Sequence, residues 1–132
     1  QHLQWPAHGE VSGVFGSQRI LNGVPKEPHP GEDIVVPTGT PVLAPAGGVV
    51  TLAEPDLYFT GGTIIIYHGH GLSSVLVHLS KLLVKPGDTV KQGQLVAKSG
   101  MTGRATGPHL HWGMSWFDVR IDPLLVLESR KE

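Results

Sequence analysis

Apolar and polar positions along the 132-residue chain alternate in short runs, broken every few residues by Gly or Pro. The run Asp33-Ile34-Val35-Val36 reads as a strand closed by Pro37-Thr38-Gly39. Residues 11–15, 41–44 and 48–53 read as further strands. Residues 63–67 and 74–78 form a predicted hairpin across His68-Gly69-His70-Gly71. Val90 and residues 95–98, 110–116 and 119–121 complete the set. Two long loops are predicted, at 17–29 and 54–62. In the first, Asn22-Gly23 is a turn signal and Pro25, Pro28 and Pro30 forbid a helix. The second carries Tyr58 and Phe59. Short helical turns are expected over 79–84 and, opened by Asp122-Pro123, over 124–127. With no long helical period anywhere, the expected class is all-β and antiparallel.

The stretches Val36-Pro37-Thr38-Gly39-Thr40-Pro41-Val42 and Val84-Lys85-Pro86-Gly87-Asp88-Thr89-Val90 share one pattern of Val and Gly. A strand–turn–strand unit used twice would produce it, and so would two similar turns arising by chance. The sequence leaves both open.

Composition narrows the class. The chain has 18 Gly and 11 Pro, which suit short strands and tight turns. At 39% hydrophobic and 16% charged it fits one globular domain. The expected layout is a lead-in at 1–10, one domain at 11–127 and a charged tail at 128–132. A formal net charge of −1 offers no electrostatic case for nucleic acid. No apolar run approaches the length of a membrane span. The chain begins at Gln1 rather than Met, so the expectation is a processed product or a piece of a longer precursor. The remainder of that precursor would hold the targeting signal and a regulatory N-terminal segment.

There is no cysteine, so a metal would have to be held by imidazoles and carboxylates. The chain has eight histidines, and two of them stand one residue apart in Gly107-Pro108-His109-Leu110-His111. On a strand, residues i and i+2 share a face, so His109 and His111 project together while Leu110 points the other way. His29-Pro30-Gly31-Glu32-Asp33 places another histidine four residues before an aspartate, and His78 ends a predicted strand. A hydrolytic zinc site needs three protein ligands and an open position for water. His29, Asp33 and His111 would supply two imidazoles and one carboxylate, a set better suited to zinc than to magnesium or calcium. His78 and His109 would remain for proton transfer. The rival pair His68-Gly69-His70 lies on a hairpin turn, where side chains splay, and is read as structural or solvent-exposed. Glu32 should face away from Asp33 on an extended chain and is read as solvated. Trp112, Trp116 and Phe117 are read as core and groove wall.

His29-x-x-x-Asp33, Val77-His78-Leu79-Ser80 and Gly107-Pro108-His109-Leu110-His111 together resemble the LytM/lysostaphin-type zinc endopeptidases, peptidase family M23. The flanks match as well, among them Gly13-Val14-Phe15-Gly16, Ala44-Pro45-Ala46 and Lys91-Gln92-Gly93-Gln94. The resemblance runs from about Gly13 to Leu127. It implies a two-sheet antiparallel β sandwich of barrel-like, duplicated type, with the site in a groove between loops. It implies one Zn2+ per chain, held by His29, Asp33 and His111, and a catalytic pair in His78 and His109. Which of that pair is the base stays open. It implies hydrolysis of peptide bonds in bacterial peptidoglycan, by a zinc-activated water, outside the cytoplasmic membrane. The setting would be the periplasm or cell envelope, or the exterior after secretion. Arg19 and Asn22 lie in the loop before His29, where this family's groove wall forms, and are candidate substrate contacts.

Glycine-bridge cutters of the family tend to carry a groove aromatic shortly before the first ligand histidine, and this chain has none between Gly16 and His29. That favours stem-peptide cross-links of a Gram-negative-type envelope. A non-catalytic member of the same fold, binding cell wall or activating another hydrolase, is the main alternative. Such members have typically lost ligand residues, and here all five site positions are filled. Residues 84–100 also resemble a turn of biotinyl and lipoyl carrier domains, but Lys85, Lys91 and Lys98 lack the surrounding modification motif.

Overall fold

The computed structural model describes residues 3–13, 20–21, 24–25, 31–103, 105–116 and 119–121. His29, Arg19, Asn22 and the expected helical turn at 124–127 lie outside the described residues. Among the described residues all regular structure is β-strand. The strands are β1 (Glu10–Gly13), β2 (Ile20–Leu21), β3 (Val24–Pro25), β4 (Gly31–Val35), β5 (Pro41–Leu43) and β6 (Gly48–Leu57). They continue with β7 (Gly61–Gly69), β8 (Leu72–Leu82), β9 (Thr89–Val90), β10 (Leu95–Ser99), β11 (Leu110–Trp116) and β12 (Val119–Ile121). Ladder pairing is antiparallel throughout, in the order β1-β4-β11-β8-β7-β6-β9, with β5, β10 and β12 joined off that path.

β8 holds the two halves of the body together. One edge pairs with β7. The other edge pairs first with β11, from Leu72 to Val77, and then with β10, from Leu79 to Leu82. The residue between the two partners is His78, whose φ is 64°. A non-glycine residue in the left-handed region breaks the alternation of side chains and bends the strand.

The two Val–Gly turns are equivalent in three dimensions. Thr40 donates its N–H to the Pro37 carbonyl at 3.2 Å, and Asp88 to that of Lys85 at 3.1 Å. The glycine of each turn is left-handed, at φ 93° for Gly39 and 95° for Gly87. Each glycine N–H also donates to a carbonyl on a neighbouring strand, Ser99 or Val50, whose own N–H returns to the residue after the glycine. Chance resemblance of two turns does not reproduce that reciprocal pair, so the repeat is structural.

Several local expectations need correction. Residues 79–82 of the predicted helical turn are instead the end of β8, because pairing with β10 outweighs the local helix preference of leucine and lysine. The predicted loop at 54–62 is mostly strand: β6 and β7 extend as a ribbon past the body. Its Glu54 and Asp56 are exposed, so no burial pattern marked it as strand. Within the supposedly irregular 17–29, Ile20 pairs with Pro25 and Leu21 with Val24. His78 lies inside a strand rather than at its end.

The core lies between the strand layers, built from Ile34, Val42, Val50, Ile64, Ile66, Leu76, Leu110, Trp112 and Met114 among others. The lead-in joins it. Ala7 is buried, Leu3 and Trp5 pack on the core, and the Trp5 ring meets Trp112 edge-on at 5.6 Å. Gln4 donates to the Pro45 carbonyl, and Leu43 to that of Pro6, so the lead-in adds backbone pairing as well.

His68 is structural, as expected. Its Nδ1 lies 2.9 Å from the Gly47 carbonyl and its Nε2 2.7 Å from Ser74 Oγ. The hydroxyl of Ser74 also accepts the Trp112 indole N–H at 3.3 Å. Burial holds the His68 pKa below its ordinary value of 6.5, partly countered by the Gly47 hydrogen bond. The unfolded chain therefore binds a proton here more readily than the folded one. The stability contributed is complete above about pH 6.5 and is lost as pH falls below it. Urea midpoints at pH 7.5 and pH 5 should show that drop, and a smaller one in His68→Asn.

Candidate functional site

Cross-strand register builds the site. β11 lies between β4 and β8, and His111 stands opposite Asp33 on one side and Val77 on the other. Directly paired residues put their side chains on the same face, so Asp33 and His111 meet. His111 Nδ1 lies 2.6 Å from Asp33 Oδ1. The same oxygen is 3.5 Å from His109 Nε2. All three side chains are mostly covered yet accessible, at 21% for Asp33, 14% for His111 and 17% for His109. An open cleft of about 240 Å³ beside them is lined by Asp33, Val35, Thr106, Gly107, Pro108 and His109.

β4 alternates cleanly. Asp33 and Val35 face the cleft, while Glu32 and Ile34 are fully buried on the opposite side. The expectation that Glu32 faces away from Asp33 holds, but the expectation that it is solvated does not. The far side of β4 is the protein interior. Nothing in the local sequence distinguishes an interior face from a wet one.

His109 precedes β11 and is held by its own loop. Its N–H donates to the Gly100 carbonyl at 3.2 Å, and its Nδ1 lies 2.9 Å from the Gly107 carbonyl. His78 reaches the same place from β8. Val77 shares the face of His111, so a regular strand would send His78 to the core face of Leu76. The left-handed turn at His78 re-aims the ring, which lies 4.9 Å from that of His109, centroid to centroid. Its Nδ1 is 2.7 Å from the Thr102 carbonyl. Burial lowers the His78 pKa below 6.5, opposed by the Thr102 hydrogen bond and reinforced by His109 and His111, so the ring stays neutral further into acid.

The structure thus brings together four of the predicted residues: Asp33, His78, His109 and His111. The fifth, His29, lies outside the described residues, as do Arg19 and Asn22. Among the described residues no three His, Cys, Asp or Glu are gathered as a metal-binding group. The paired Asp33 oxygen and His111 nitrogen are donors that zinc accepts, and binding would replace the proton they share. A third donor must come from elsewhere. Sequence reading missed Thr102 and Thr60, which grip His78 through backbone carbonyls. Tyr58 and Phe59 are exposed at the ribbon tip and meet each other edge-on at 4.7 Å.

A carboxylate–imidazole donor pair thus lies beside two further imidazoles on an antiparallel all-β frame. Residues 27–123 match the profile of peptidase family M23. The chain is 46% identical over 104 residues to peptidoglycan DD-endopeptidase ShyA of Vibrio cholerae, covering 77% of this chain and 24% of that protein. A crystal structure of a zinc containing peptidase from Vibrio cholerae superposes with a TM-score of 0.85 at 30% identity, over 94% of this chain and 40% of the other. The catalytic domain of lysostaphin from Staphylococcus simulans gives 0.79 at 32% identity, over 91% and 92%. The chain belongs to peptidase family M23. It spans about a quarter of the length of the curated relatives it matches.

Gly31 shows how tightly the register is held. A Cβ there would come 2.3 Å from the Trp112 carbonyl oxygen and 2.8 Å from the Gly113 Cα. Gly31→Ala must push β4 away from β11 and separate Asp33 from His111. We expect a loss of roughly 2 kcal/mol or more in urea unfolding.

Proposed function

We propose that the chain is a zinc-dependent endopeptidase that hydrolyses peptide cross-links of bacterial peptidoglycan. The observation that carries this reading is the meeting of Asp33 and His111 at 2.6 Å, with His109 and His78 on the same side, in an M23 domain. Asp33 and His111 would hold one zinc ion per chain, with His29 as the third ligand. Their nitrogen and oxygen donors fit that ion, and the chain has no thiolate to compete. Bound zinc supplies a Lewis acid for the scissile carbonyl and a water of lowered pKa.

The protein's own part is proton handling and charge stabilisation. The Gly107 and Thr102 carbonyls can only accept, so His109 and His78 carry their hydrogens on Nδ1 when neutral. Each ring then offers the Nε2 lone pair to the site. One imidazole takes the proton of the attacking water and passes it to the leaving amine. The other, once protonated, donates to the oxyanion. Histidine fills the role that glutamate fills in His-Glu-x-x-His enzymes, a motif this chain lacks.

Cross-linked stem peptides are the favoured substrate class over glycine bridges. Two facts support this: no aromatic stands between Gly16 and His29, and a relative named as a DD-endopeptidase is 46% identical. Such a substrate places the domain in the periplasm or elsewhere outside the cytoplasmic membrane. Among the described residues no helix is long and apolar enough to cross a membrane. Arg19 and Asn22 remain candidate substrate contacts. The presence of Asp33, His78, His109 and His111 in working proximity favours the enzyme over a non-catalytic wall-binding relative.

Purified protein should contain one zinc per chain and release cross-linked fragments from peptidoglycan. Asp33→Ala should lose the metal. His109→Ala should keep it and lose roughly 100-fold or more in turnover. A metal-free wild type, or full activity in His109→Ala, would sink the mechanism. Activity should also fall in acid, because a protonated imidazole can neither ligate zinc nor accept a proton. A flat profile to pH 4 would rule out histidine ligation.

A further inference from the structure

We infer that Thr102 is a positioning residue for His78, fixing the tautomer and direction of its imidazole through a clamp built from its hydroxyl and its carbonyl. The inference deepens the endopeptidase reading and rests on it for the meaning of turnover, though not for the geometry.

His78 is held at two points. Its backbone N–H donates to the Thr60 carbonyl at 2.8 Å, and its ring Nδ1–H donates to the Thr102 carbonyl at 2.7 Å. The first bond anchors the main chain where β8 exchanges one partner for another. The second selects which nitrogen carries the hydrogen. A carbonyl has no proton to give, so neutral His78 has its lone pair on Nε2. Without that bond the two tautomers would compete, and the ring could also rotate about its χ2 torsion.

The Thr102 carbonyl is itself fixed by the Thr102 side chain. Its Oγ1 donates to the Leu79 carbonyl at 2.7 Å and accepts the Gly62 N–H at 3.0 Å. One hydroxyl thus ties the loop between β10 and β11 to both β7 and β8, one residue beyond His78. The backbones meet too closely for side chains. A Cβ on Gly61 would lie 2.3 Å from Thr102 Oγ1 and 2.5 Å from the Thr102 carbonyl carbon. A Cβ on Gly103 would lie 2.5 Å from the Gly61 nitrogen. Both glycines are left-handed, at φ 66° and 74°. Three segments therefore converge at His78, and the Thr102 hydroxyl bonds to two of them.

The test compares Thr102→Val, which keeps the shape and removes the hydroxyl, with Thr102→Ser, which keeps the hydroxyl. In the zinc-loaded full chain, Thr102→Val should lose roughly 10- to 100-fold in kcat with little change in KM or zinc content. Long-range 15N–1H NMR of the histidine rings should show His78 as a single Nδ1–H tautomer in wild type and a mixture in Thr102→Val. Thr102→Ser should restore both readouts. If Thr102→Val does not fold, Thr102→Ala, which also lacks the hydroxyl, carries the same comparison. An unchanged His78 tautomer in the hydroxyl-less variant, or a Thr102→Ser protein as impaired as Thr102→Val, would overturn the assignment. The tautomer spectrum needs no substrate. A wild type inert towards peptidoglycan would therefore refute the endopeptidase reading without touching this one.

Discussion

The site depends on the register of one strand. β11 buries Leu110, Trp112 and Met114 on its inner face and turns His111 outward. Side chains of that size each contribute about 1.5–3 kcal/mol on burial. A slip of one residue would bring Trp112 out and carry His111 into the core, so the alternative register is heavily disfavoured. Because β11 is paired on both edges, the same choice fixes Asp33 on β4 and Val77 on β8. The meeting of carboxylate and imidazole is a by-product of hydrophobic packing one layer below.

His78 is the exception to that order. Its left-handed backbone costs on the order of 1–3 kcal/mol. It is offset by backbone and ring hydrogen bonds to Thr60 and Thr102 and by the pairing that the bend makes available to β10. A strand bent where it changes partners delivers a side chain to a face that alternation denies it. Strain and chemistry coincide at one residue, and this is the place where simple pattern reading fails.

What the sequence made legible follows from this contrast. Strand period led to the expectation that His109 and His111 lie together, and both rings do approach one oxygen of Asp33, His111 from β11 and His109 from the bridge just ahead of it. The two Val–Gly turns were visible because left-handed glycines leave a mark, but the sequence left a repeat and chance equally open, and only the reciprocal backbone pairing decides for the repeat. Glu32 was misread because alternation gives the face but not what covers it. The ribbon of β6 and β7 was misread because exposed strands carry no burial pattern. The lead-in concealed Trp5, whose partner Trp112 is remote in sequence. Thr102 was invisible for a related reason: its role lies in a carbonyl and a hydroxyl serving segments that sequence does not place together.

The shared strand β8 bears on modularity. The repeated turns suggest two equivalent halves, yet each half borrows β8 to complete its sheet. Neither half is a self-sufficient unit, because cutting at β8 strips partners from β7, β10 and β11 together. The domain should therefore unfold as one piece, because β8 is common to both halves.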